Sequence, residues 1–171
     1  MTDKRFKPIQ LLLTDVDGVL TDGAIAYTED QTETKVFNVR DGLGIKMLHQ
    51  SGIRTGIVTG RSSAALLRRC RELGIQMVYD NVKDKGAVFD RISQHTGLPA
   101  SAIAFMGDDL PDLPMFKKAG LAIAVADAHS MVCEQADIIT EKCGGRGAVR
   151  EVCEMLLKSK GLWDPLIKQW T

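Results

Sequence analysis

The segment LLLTDVDGVLTD, residues 11–22, places an apolar run directly before a group of aspartates. The wider run IQLLLTDV is typical of a strand that is buried on both faces. Asp15 and Asp17 stand where this strand should end, and Gly18 allows the backbone to turn tightly beside them. In an open α/β sheet, ligands bind in the crevice at the carboxyl ends of the strands. The segment therefore predicts an α/β fold with a ligand site directly after its first strand.

Along the rest of the chain, apolar runs alternate with segments of helical period. Further buried strands are predicted at residues 54–60, 75–79, 102–109, 121–125 and 137–140. Helices are predicted before Gly52, from Ser62 or Ser63 to Gly74, from about Asp84 to His95, around Leu113–Lys118, through Ala136 and near Val149–Lys158. Strands separated by such helices indicate right-handed crossovers. The fold predicted is a Rossmann-like, doubly wound, mainly parallel sheet with helices on both faces.

One stretch interrupts this alternation. Residues 24–39, AIAYTEDQTETKVFNV, alternate apolar and polar side chains around a polar turn. This pattern predicts a protruding β-hairpin after the first strand and not a crossover helix. Because the hairpin follows directly on the aspartates, we expect it to stand near the ligand site.

The charge balance argues against two broad classes of binding protein. The 171 residues include 22 Lys and Arg against 22 Asp and Glu, so the basic excess typical of nucleic-acid or membrane-surface binders is missing. Aromatic residues make up only 5%, which also disfavours base stacking. We therefore expect neither a nucleic-acid nor a membrane partner.

The cysteines and the first residues both suggest a cytoplasmic protein. Cys70, Cys133, Cys143 and Cys153 form no C-x-x-C pair, which favours free thiols in a reducing compartment over a zinc or redox site. The apolar run near the N-terminus is too short for a signal peptide or membrane span, and acidic residues follow it too closely.

Polar residues capable of chemistry follow several of the predicted strands. They are Asp15 and Asp17 after the first, Thr59, Gly60 and Arg61 after the second, Lys85 at the helix after the third, and Asp108, Asp109 and Asp112 after the fourth. Folding should bring them to one rim, where the carboxylates would repel each other and raise each other's pKa values. A divalent cation removes that cost, and oxygen ligands without His or Cys favour Mg²⁺. With Lys85, Arg61 and Thr59 alongside, the rim is suited to hold a phosphate.

The two aspartates of the D-x-D pair suggest complementary roles in phosphate chemistry. Asp15 is a candidate nucleophile that would form an aspartyl-phosphate. Asp17 is a candidate general acid and base, which would protonate the leaving alkoxide and later deprotonate the attacking water. Lys83 competes with Lys85 for the cationic role, and the spacing from the strand favours Lys85.

These segments resemble, in order, the four motifs of the haloacid dehalogenase superfamily of phosphotransferases. The matching segments are DVDGVLTD, VTGR, Lys85 and GDDLPD. The resemblance implies that Asp15 is the nucleophile, Asp17 the acid/base, and Thr59 and Lys85 the phosphate-holding residues. It also implies Mg²⁺ bound by the side chains of Asp15 and Asp108 and the backbone carbonyl of Asp17, with Asp112, favoured over Asp109, supporting the metal's water shell or Lys85.

A closer resemblance covers nearly the whole chain. DVDGVLTDG, FNVRDGLGIKML, TGR, GDDLPD, AVADAH and GGRGAVREVC are similar to a subfamily that hydrolyses 3-deoxy-D-manno-octulosonate 8-phosphate, an eight-carbon acid sugar phosphate used for the lipopolysaccharide inner core. This resemblance implies substrate contacts from Asn38, Val39, Arg40, Asp41, Gly42, Lys46, Gly60, Arg61 and Arg69. One departure is YDNV at residues 79–82, where members often show Tyr-Gln-Gly.

Other functions remain open at the level of sequence. A related subfamily acts on a nine-carbon acid sugar 9-phosphate, but the position of Arg61 tends to be acidic there, so TGR favours the shorter sugar. A phospho-receiver or a non-catalytic assembly module belongs to a different class, and Asp17 two residues after the nucleophile argues against a receiver. Arg40, Lys46 and Arg69 are also compatible with a solvated surface.

The resemblance further implies one domain over residues 1–171 without a separate cap, because the segment between Thr59 and Lys85 holds only one helix and one strand. The subfamily closes its sites as a homotetramer, in which hairpins associate and a neighbour completes each site. The C-terminal tail, residues 160–171, carries Trp163, Leu166, Ile167 and Trp170. These apolar side chains could help to close the site of a neighbouring subunit, or they could pack on their own subunit.

Overall fold

The protein was analysed as a computed structural model that describes residues 4–168, in which strands and helices alternate. The strands are β1 (Leu11–Thr14), β2 (Ala26–Tyr27), β3 (Glu33–Thr34), β4 (Arg54–Val58), β5 (Met77–Tyr79), β6 (Ile103–Gly107), β7 (Leu121–Ala124) and β8 (Ile138–Ile139). The helices are α1 (Val39–Gln50), α2 (Ala64–Leu73), α3 (Lys85–Thr96), α4 (Leu113–Phe116), α5 (Ser130–Gln135), α6 (Ala148–Ser159) and α7 (Trp163–Ile167). Within residues 4–168, none of the helices has the length and apolar character to cross a membrane.

Six strands form one parallel sheet in the order β5-β4-β1-β6-β7-β8. β1 lies in the middle, with Leu13 opposite Gly56 of β4 on one side and Phe105 of β6 on the other. The chain first builds outward through β4 and β5 and then restarts beside β1 with β6, so the strand order reverses at β1. The predicted doubly wound parallel sheet is confirmed, and the carboxyl end of β1 is its switch point.

The two faces of the sheet carry separate cores, because successive side chains of a strand point to opposite sides. Leu12 packs on the face covered by α1 and α6, whereas Leu11 and Leu13 pack on the face covered by α3 and α4. On the second face, Phe105 and Phe116 meet edge to face, with ring centroids 5.9 Å apart. Burial on both faces fixes β1 and therefore the position of the aspartates that follow it.

The helix ends near the switch point are set by local side-chain caps. Ser63 caps α2 by accepting a hydrogen bond from the amide of Leu66, and Gly74 ends the helix in the left-handed conformation with φ 76°. Asp84 caps α3 in the same way, accepting from the amide of Ala87 at 3.0 Å. This cap makes Lys85 the first residue of α3 and points the start of that helix toward the switch point.

The hairpin segment contains the short antiparallel pair of β2 and β3. Ala26 lies opposite Thr34, and Tyr27 opposite Glu33. Several apolar side chains of the hairpin segment are exposed: Ile25 (49%), Tyr27 (63%), Val36 (76%) and Val39 (78%). The segment thus projects from the sheet and presents apolar surface next to the first aspartates.

The described part of the C-terminal tail packs on its own subunit. Trp163, Leu166 and Ile167 of α7 lie against the core on the α1 and α6 face. The ring of Trp163 also lies below two cations of α6, 5.6 Å from the Arg150 guanidinium carbon and 4.9 Å from Lys158 Nζ. Of the two roles expected for the tail, these contacts favour the internal one, and Trp170 lies outside the described residues.

Candidate active site

The carboxyl ends of β1, β4 and β6 and the start of α3 surround a cleft of about 870 Å³. All nine residues singled out at the predicted strand ends line it: Asp15, Asp17, Thr59, Gly60, Arg61, Lys85, Asp108, Asp109 and Asp112. Strand pairing accounts for their convergence, because the Asp15 amide donates to the carbonyl of Met106 at 2.9 Å, which places β1 beside the end of β6. Positions that are distant in the sequence therefore meet at one rim.

Three carboxyl groups in the cleft lie close enough to share a cation. One oxygen each from Asp15, Asp108 and Asp112 lies within 4.8 Å of the others. Oδ1 of Asp15 and Oδ1 of Asp108 are buried and accept no hydrogen bond. Buried carboxylate oxygens without a protein partner fit a hard dication such as Mg²⁺, which accepts oxygen ligands and retains water.

The electrostatics of the cleft agree with a cation site. Burial, with Asp112 as a further cause, raises the pKa of Asp15 to about 6. Burial, followed by the charges of Asp112, Asp15 and Asp109, raises the pKa of Asp108 to about 8. Both carboxyls hold protons more tightly than usual because ionising them places like charges together in a poorly solvated site. A bound dication would reverse this preference.

Asp112 is engaged at both oxygens. Its Oδ2 accepts the amides of Asp108 and Asp109 at 2.9 and 3.3 Å, and its Oδ1 accepts from Lys85 Nζ at 2.6 Å. The Asp109 side chain points elsewhere and accepts from the Leu110 amide at 2.8 Å. Of the two candidates, Asp112 is therefore the one that holds both the backbone at Asp108 and the Lys85 ammonium group. Because both of its oxygens already accept hydrogen bonds, Asp112 is better placed to orient these groups than to bind the metal directly.

Lys85 is buried between two carboxylates. Only 5% of its side chain is exposed, and Nζ lies 3.0 Å from Asp15 Oδ2 and 2.6 Å from Asp112 Oδ1. Burial alone would lower the pKa of Lys85, but the two carboxylates outweigh burial and raise it. Lys85 is therefore a permanent cation beside the candidate nucleophile, whereas the rival Lys83 is exposed.

The unusual segment YDNV, residues 79–82, still delivers Lys85 to the cleft. Asn81 adopts a left-handed conformation with φ 52°, which reverses the chain after β5. The Thr59 amide then donates to the Tyr79 carbonyl at 2.9 Å, and the Val82 amide to the Thr59 carbonyl at 3.0 Å. These bonds tie the loop before α3 to the end of β4, so the loop is held beside the cleft with this sequence.

Two hairpin residues that the sequence reasoning missed, Glu33 and Lys35, contact cleft residues from outside the cleft lining. Lys35 forms an ion pair with Asp17 Oδ1 and lies 2.9 Å from Glu33 Oε1. Glu33 Oε2 in turn lies 2.6 Å from an Arg61 nitrogen, and Arg61 Nε lies 3.8 Å from Asp17 Oδ2. We call these four alternating charges, Asp17, Lys35, Glu33 and Arg61, the hairpin ring. The signal was available, because residues 33 and 35 share one face of the predicted second hairpin strand.

The other predicted substrate contacts lie outside this cleft, on α1 and α2. Asn38 caps α1 by accepting from the Arg40 amide at 2.9 Å, and Val39, Arg40 and Lys46 are exposed. Arg69 lies 5.9 Å from the Phe37 ring centre and donates to the Asn38 carbonyl at 3.4 Å. Gly42 is buried against Arg69, since a Cβ there would overlap its guanidinium. Within one subunit these residues do not meet the phosphate site, and their substrate roles stay predictions.

Asp41 has a structural partner. Its Oδ1 accepts the amide of Arg150 in the first turn of α6 at 2.7 Å. Gly147, which begins this helix, has no side chain to provide a cap, so Asp41 supplies one from α1. Burial raises the pKa of Asp41 despite these backbone hydrogen bonds. The contact joins α1 to α6 on the face of the sheet behind the cleft.

The GGRG motif of residues 144–147 supports the aspartate loop from outside. The Gly145 amide donates to the Val19 carbonyl at 2.9 Å, and Arg146 pairs with Asp22 at 3.2 Å. Gly144 lies so close to the Gly18 carbonyl that a Cβ would overlap it. We call residues 144–146 the glycine buttress, because it holds the turn that presents Asp15 and Asp17.

Gly18 itself allows the close approach of Asp108. It has φ 89°, and a Cβ at this position would overlap Asp108 Oδ2. We expect Gly18→Ala to displace Asp108 and to weaken Mg²⁺ binding by at least about tenfold, measured by isothermal titration. Gly52→Ala is the matched control, because Gly52 has a similar φ of 76° with nothing within 4 Å of a Cβ. Equal Mg²⁺ affinity in the two variants would contradict the close fit between Gly18 and Asp108.

Comparison with known proteins agrees with this site. Residues 77–151 match a family model described as haloacid dehalogenase-like hydrolase. A curated relative, the 3-deoxy-D-manno-octulosonate 8-phosphate phosphatase KdsC of Escherichia coli (strain K12), is 44% identical over 156 residues, covering 91% of this chain and 83% of the relative.

Solved structures show the same relationship. One is the crystal structure of 3-deoxy-D-manno-octulosonate 8-phosphate phosphatase from Moraxella catarrhalis, in complex with magnesium ion, phosphate ion and a molecule named KDO. Its sequence is 44% identical to this one, the match covers 98% of this chain and 97% of that chain, and the TM-score is 0.96. The cobalt-bound phosphatase from Haemophilus influenzae is 39% identical over 92% of each chain, with a TM-score of 0.89.

Proposed function

The chain belongs to the KdsC family of 3-deoxy-D-manno-octulosonate 8-phosphate phosphatases, which are haloacid dehalogenase-like hydrolases, and we propose that it hydrolyses 3-deoxy-D-manno-octulosonate 8-phosphate with Mg²⁺. The products are the free eight-carbon sugar acid and phosphate, a step toward the lipopolysaccharide inner core. One observation carries the proposal: unpartnered buried oxygens of Asp15 and Asp108 lie beside the buried cation of Lys85 at the switch point of the sheet. That arrangement suits a phosphate whose negative charge a bound metal and a lysine would neutralise.

The side chains of Asp15 and Asp108 and the backbone carbonyl of Asp17 would hold the metal. Asp112 would support them through its contacts with the Asp108 amide and Lys85. Bound Mg²⁺ would neutralise charge on the phosphoryl oxygens. Thr59, which is only 2% exposed at the end of β4, and Lys85 would hold the remaining phosphoryl oxygens.

The protein's own groups account for the two chemical steps. Asp15 attacks phosphorus through a carboxylate oxygen, while Asp17 gives a proton to the leaving oxygen of the sugar. Water then attacks the phosphorus of the resulting aspartyl-phosphate while Asp17 takes a proton from that water. The bond between phosphorus and the Asp15 oxygen breaks, which releases phosphate and restores the carboxylate. Arg61, which lines the same cleft and is 42% exposed, would bind the sugar carboxylate.

The test of this function compares two acid sugar phosphates. Phosphate release should be faster from the eight-carbon 8-phosphate than from the nine-carbon 9-phosphate, and chelation of Mg²⁺ should abolish it. Arg61→Glu should lose the preference, because it replaces the cation that would meet the sugar carboxylate. Equal rates of the unmodified protein on both substrates would defeat the assignment to the shorter sugar. A stable aspartyl-phosphate without turnover would indicate a receiver instead.

We place the active protein in a cytoplasmic homotetramer. The chain would form one domain over residues 1–171 with the hairpin of residues 24–39 and the tail of residues 160–171, and no separate cap. Support comes from the exposed apolar side chains of the hairpin segment, which form a surface that a neighbouring subunit would cover. Arg40, Lys46 and Arg69 would then contact substrate only with a neighbouring subunit in place. Light scattering of the purified protein tests the assembly.

The raised pKa values predict that metal binding releases protons. In the metal-free protein the pKa of Asp108 is about 8 and that of Asp15 about 6, so both carboxyls are partly protonated near neutrality. A metal favours the ionised forms, and therefore Mg²⁺ affinity should rise with pH between these values. Calorimetric titration at neutral pH, in two buffers of different ionisation enthalpy, should show about one proton released per ion. Asp108→Asn should abolish this release, and a flat pH dependence in the unmodified protein would contradict the prediction.

A further inference from the structure

The two oxygens of the Asp17 carboxylate have different surroundings. Oδ1 is paired with Lys35 Nζ from the hairpin. Oδ2 is buried, lies 3.8 Å from Arg61 Nε and accepts no hydrogen bond. One oxygen is therefore held by the protein, and the other is available beside the cleft.

Lys35 is itself held firmly. Its side chain is only 3% exposed, and Nζ lies between Asp17 Oδ1 and Glu33 Oε1. Hydrogen bonds from Lys35 and Arg61 lower the pKa of Glu33, so this carboxylate stays ionised and keeps its hold on Lys35. A buried lysine between two carboxylates has few alternative positions, because moving away from either partner breaks an ion pair that offsets the desolvation of its charge.

We propose that Lys35 is a positioning residue for proton transfer in the hydrolysis. By holding Oδ1 of Asp17, it fixes the carboxyl group so that Oδ2 is the oxygen that meets the leaving group. The hairpin then contributes directly to chemistry as well as to the shape of the site. This inference rests on the proposed function, since it assigns a role within the phosphomonoester reaction.

The step that Lys35 supports is the first one. A bond forms between an Asp15 carboxylate oxygen and phosphorus as the bond from phosphorus to the sugar oxygen breaks. The electron pair of the broken bond takes the proton from Asp17 Oδ2, and the sugar leaves as an alcohol. Lys35 keeps all its protons. The need for this proton depends on the leaving group, because an alkoxide is strongly basic and a nitrophenolate is not.

The test uses this dependence on the leaving group. We expect Lys35→Gln to lower kcat/KM for 3-deoxy-D-manno-octulosonate 8-phosphate by at least about 100-fold, a usual contribution of general acid catalysis. For p-nitrophenyl phosphate, which needs no proton donor, the same variant should lose less than about fivefold. Lys35→Arg should recover most of the loss on the sugar phosphate, because it restores a cation at Oδ1.

Thr34→Ala is the matched control, since the neighbouring Thr34 is exposed and strand alternation turns it away from Asp17. If Lys35→Gln does not fold, Lys35→Met takes its place in the test, because methionine retains the buried aliphatic part of the side chain. Equal losses on both substrates, or no loss on the sugar phosphate, would overturn the role of Lys35. If the unmodified protein releases phosphate from neither ester, the proposed function itself is wrong, and the inference fails with it.

Discussion

Asp15→Asn should abolish turnover while leaving the folded protein at least as stable as before. The amide cannot attack phosphorus to give an acyl-phosphate, so we expect kcat to fall by at least about 10,000-fold. Steady phosphate release by the unmodified protein that this variant loses would also exclude a receiver or an assembly module. No other substitution in the cleft should lower the rate as much.

The stability effect has the opposite sign because the Asp15 charge is buried. Burial raises the pKa of this carboxyl to about 6 in the folded, metal-free protein, against 3.8 as its ordinary value. A raised folded pKa contributes stability at pH values below about 4, and the contribution is lost as pH rises through about 6. At pH 8 the ionised side chain therefore destabilises the fold, and the neutral amide should raise the free energy of unfolding by about 1–3 kcal/mol.

Both effects can be measured on the same preparation. Phosphate release with Mg²⁺ gives the rate, and urea unfolding with chelator at pH 8 gives the stability. Asp90→Asn is a control, because Asp90 pairs with Lys118 and is 67% exposed. Turnover of more than a few per cent in Asp15→Asn would remove Asp15 from its role as nucleophile, and a clear loss of stability would contradict the electrostatic description of the cleft.

Lys85→Gln should damage both activity and stability. Without the ammonium group, Asp15 and Asp112 face each other across a buried space with no counter-charge. Removing one partner of a buried ion pair costs about 3–5 kcal/mol, so we expect a loss of that size at pH 8. Loss of a phosphate-holding cation should also lower kcat/KM by about 1,000-fold.

The pH dependence separates this explanation from simple loss of packing. At low pH, Asp15 and Asp108 take up protons more readily than usual, so the carboxylates no longer need Lys85 as strongly. The destabilisation should therefore shrink as pH falls from about 8 to about 5. Lys83→Gln is the matched control, being exposed two residues earlier. A destabilisation that is constant with pH, or an equal rate loss in Lys83→Gln, would contradict the assignment of Lys85.

The ends of the strands were predictable because they depend on residues that are close together in the sequence. The run before Asp15 is too apolar to be exposed and too short for a helix, and aspartates after it must lie at the carboxyl edge. Capping residues such as Ser63 and Asp84 likewise act within one turn of their helices. Nine candidate residues met in one cleft for this reason.

Side-chain partners across long separations were not predictable in this way. Asp41 matches a substrate-contact motif in sequence, yet it caps α6 through Arg150, 109 positions away. Lys35 sits in a polar hairpin strand whose sequence gives its face but not its partner. Pairings of this kind depend on how α1, α6 and the hairpin pack in three dimensions, and one-dimensional periodicity contains no information on that packing.

The glycine buttress sets the order in which the protein can become functional. Asp15 leaves the ribosome early, but its strand needs β6 beside it, and its loop needs the Gly145 amide on the Val19 carbonyl. Synthesis runs from the amino terminus, so β6 and residues 144–146 are made long after the aspartate loop that they support. A nascent or truncated chain that lacks them consequently carries the nucleophile without a working site, and catalysis can begin only once translation has passed residue 146.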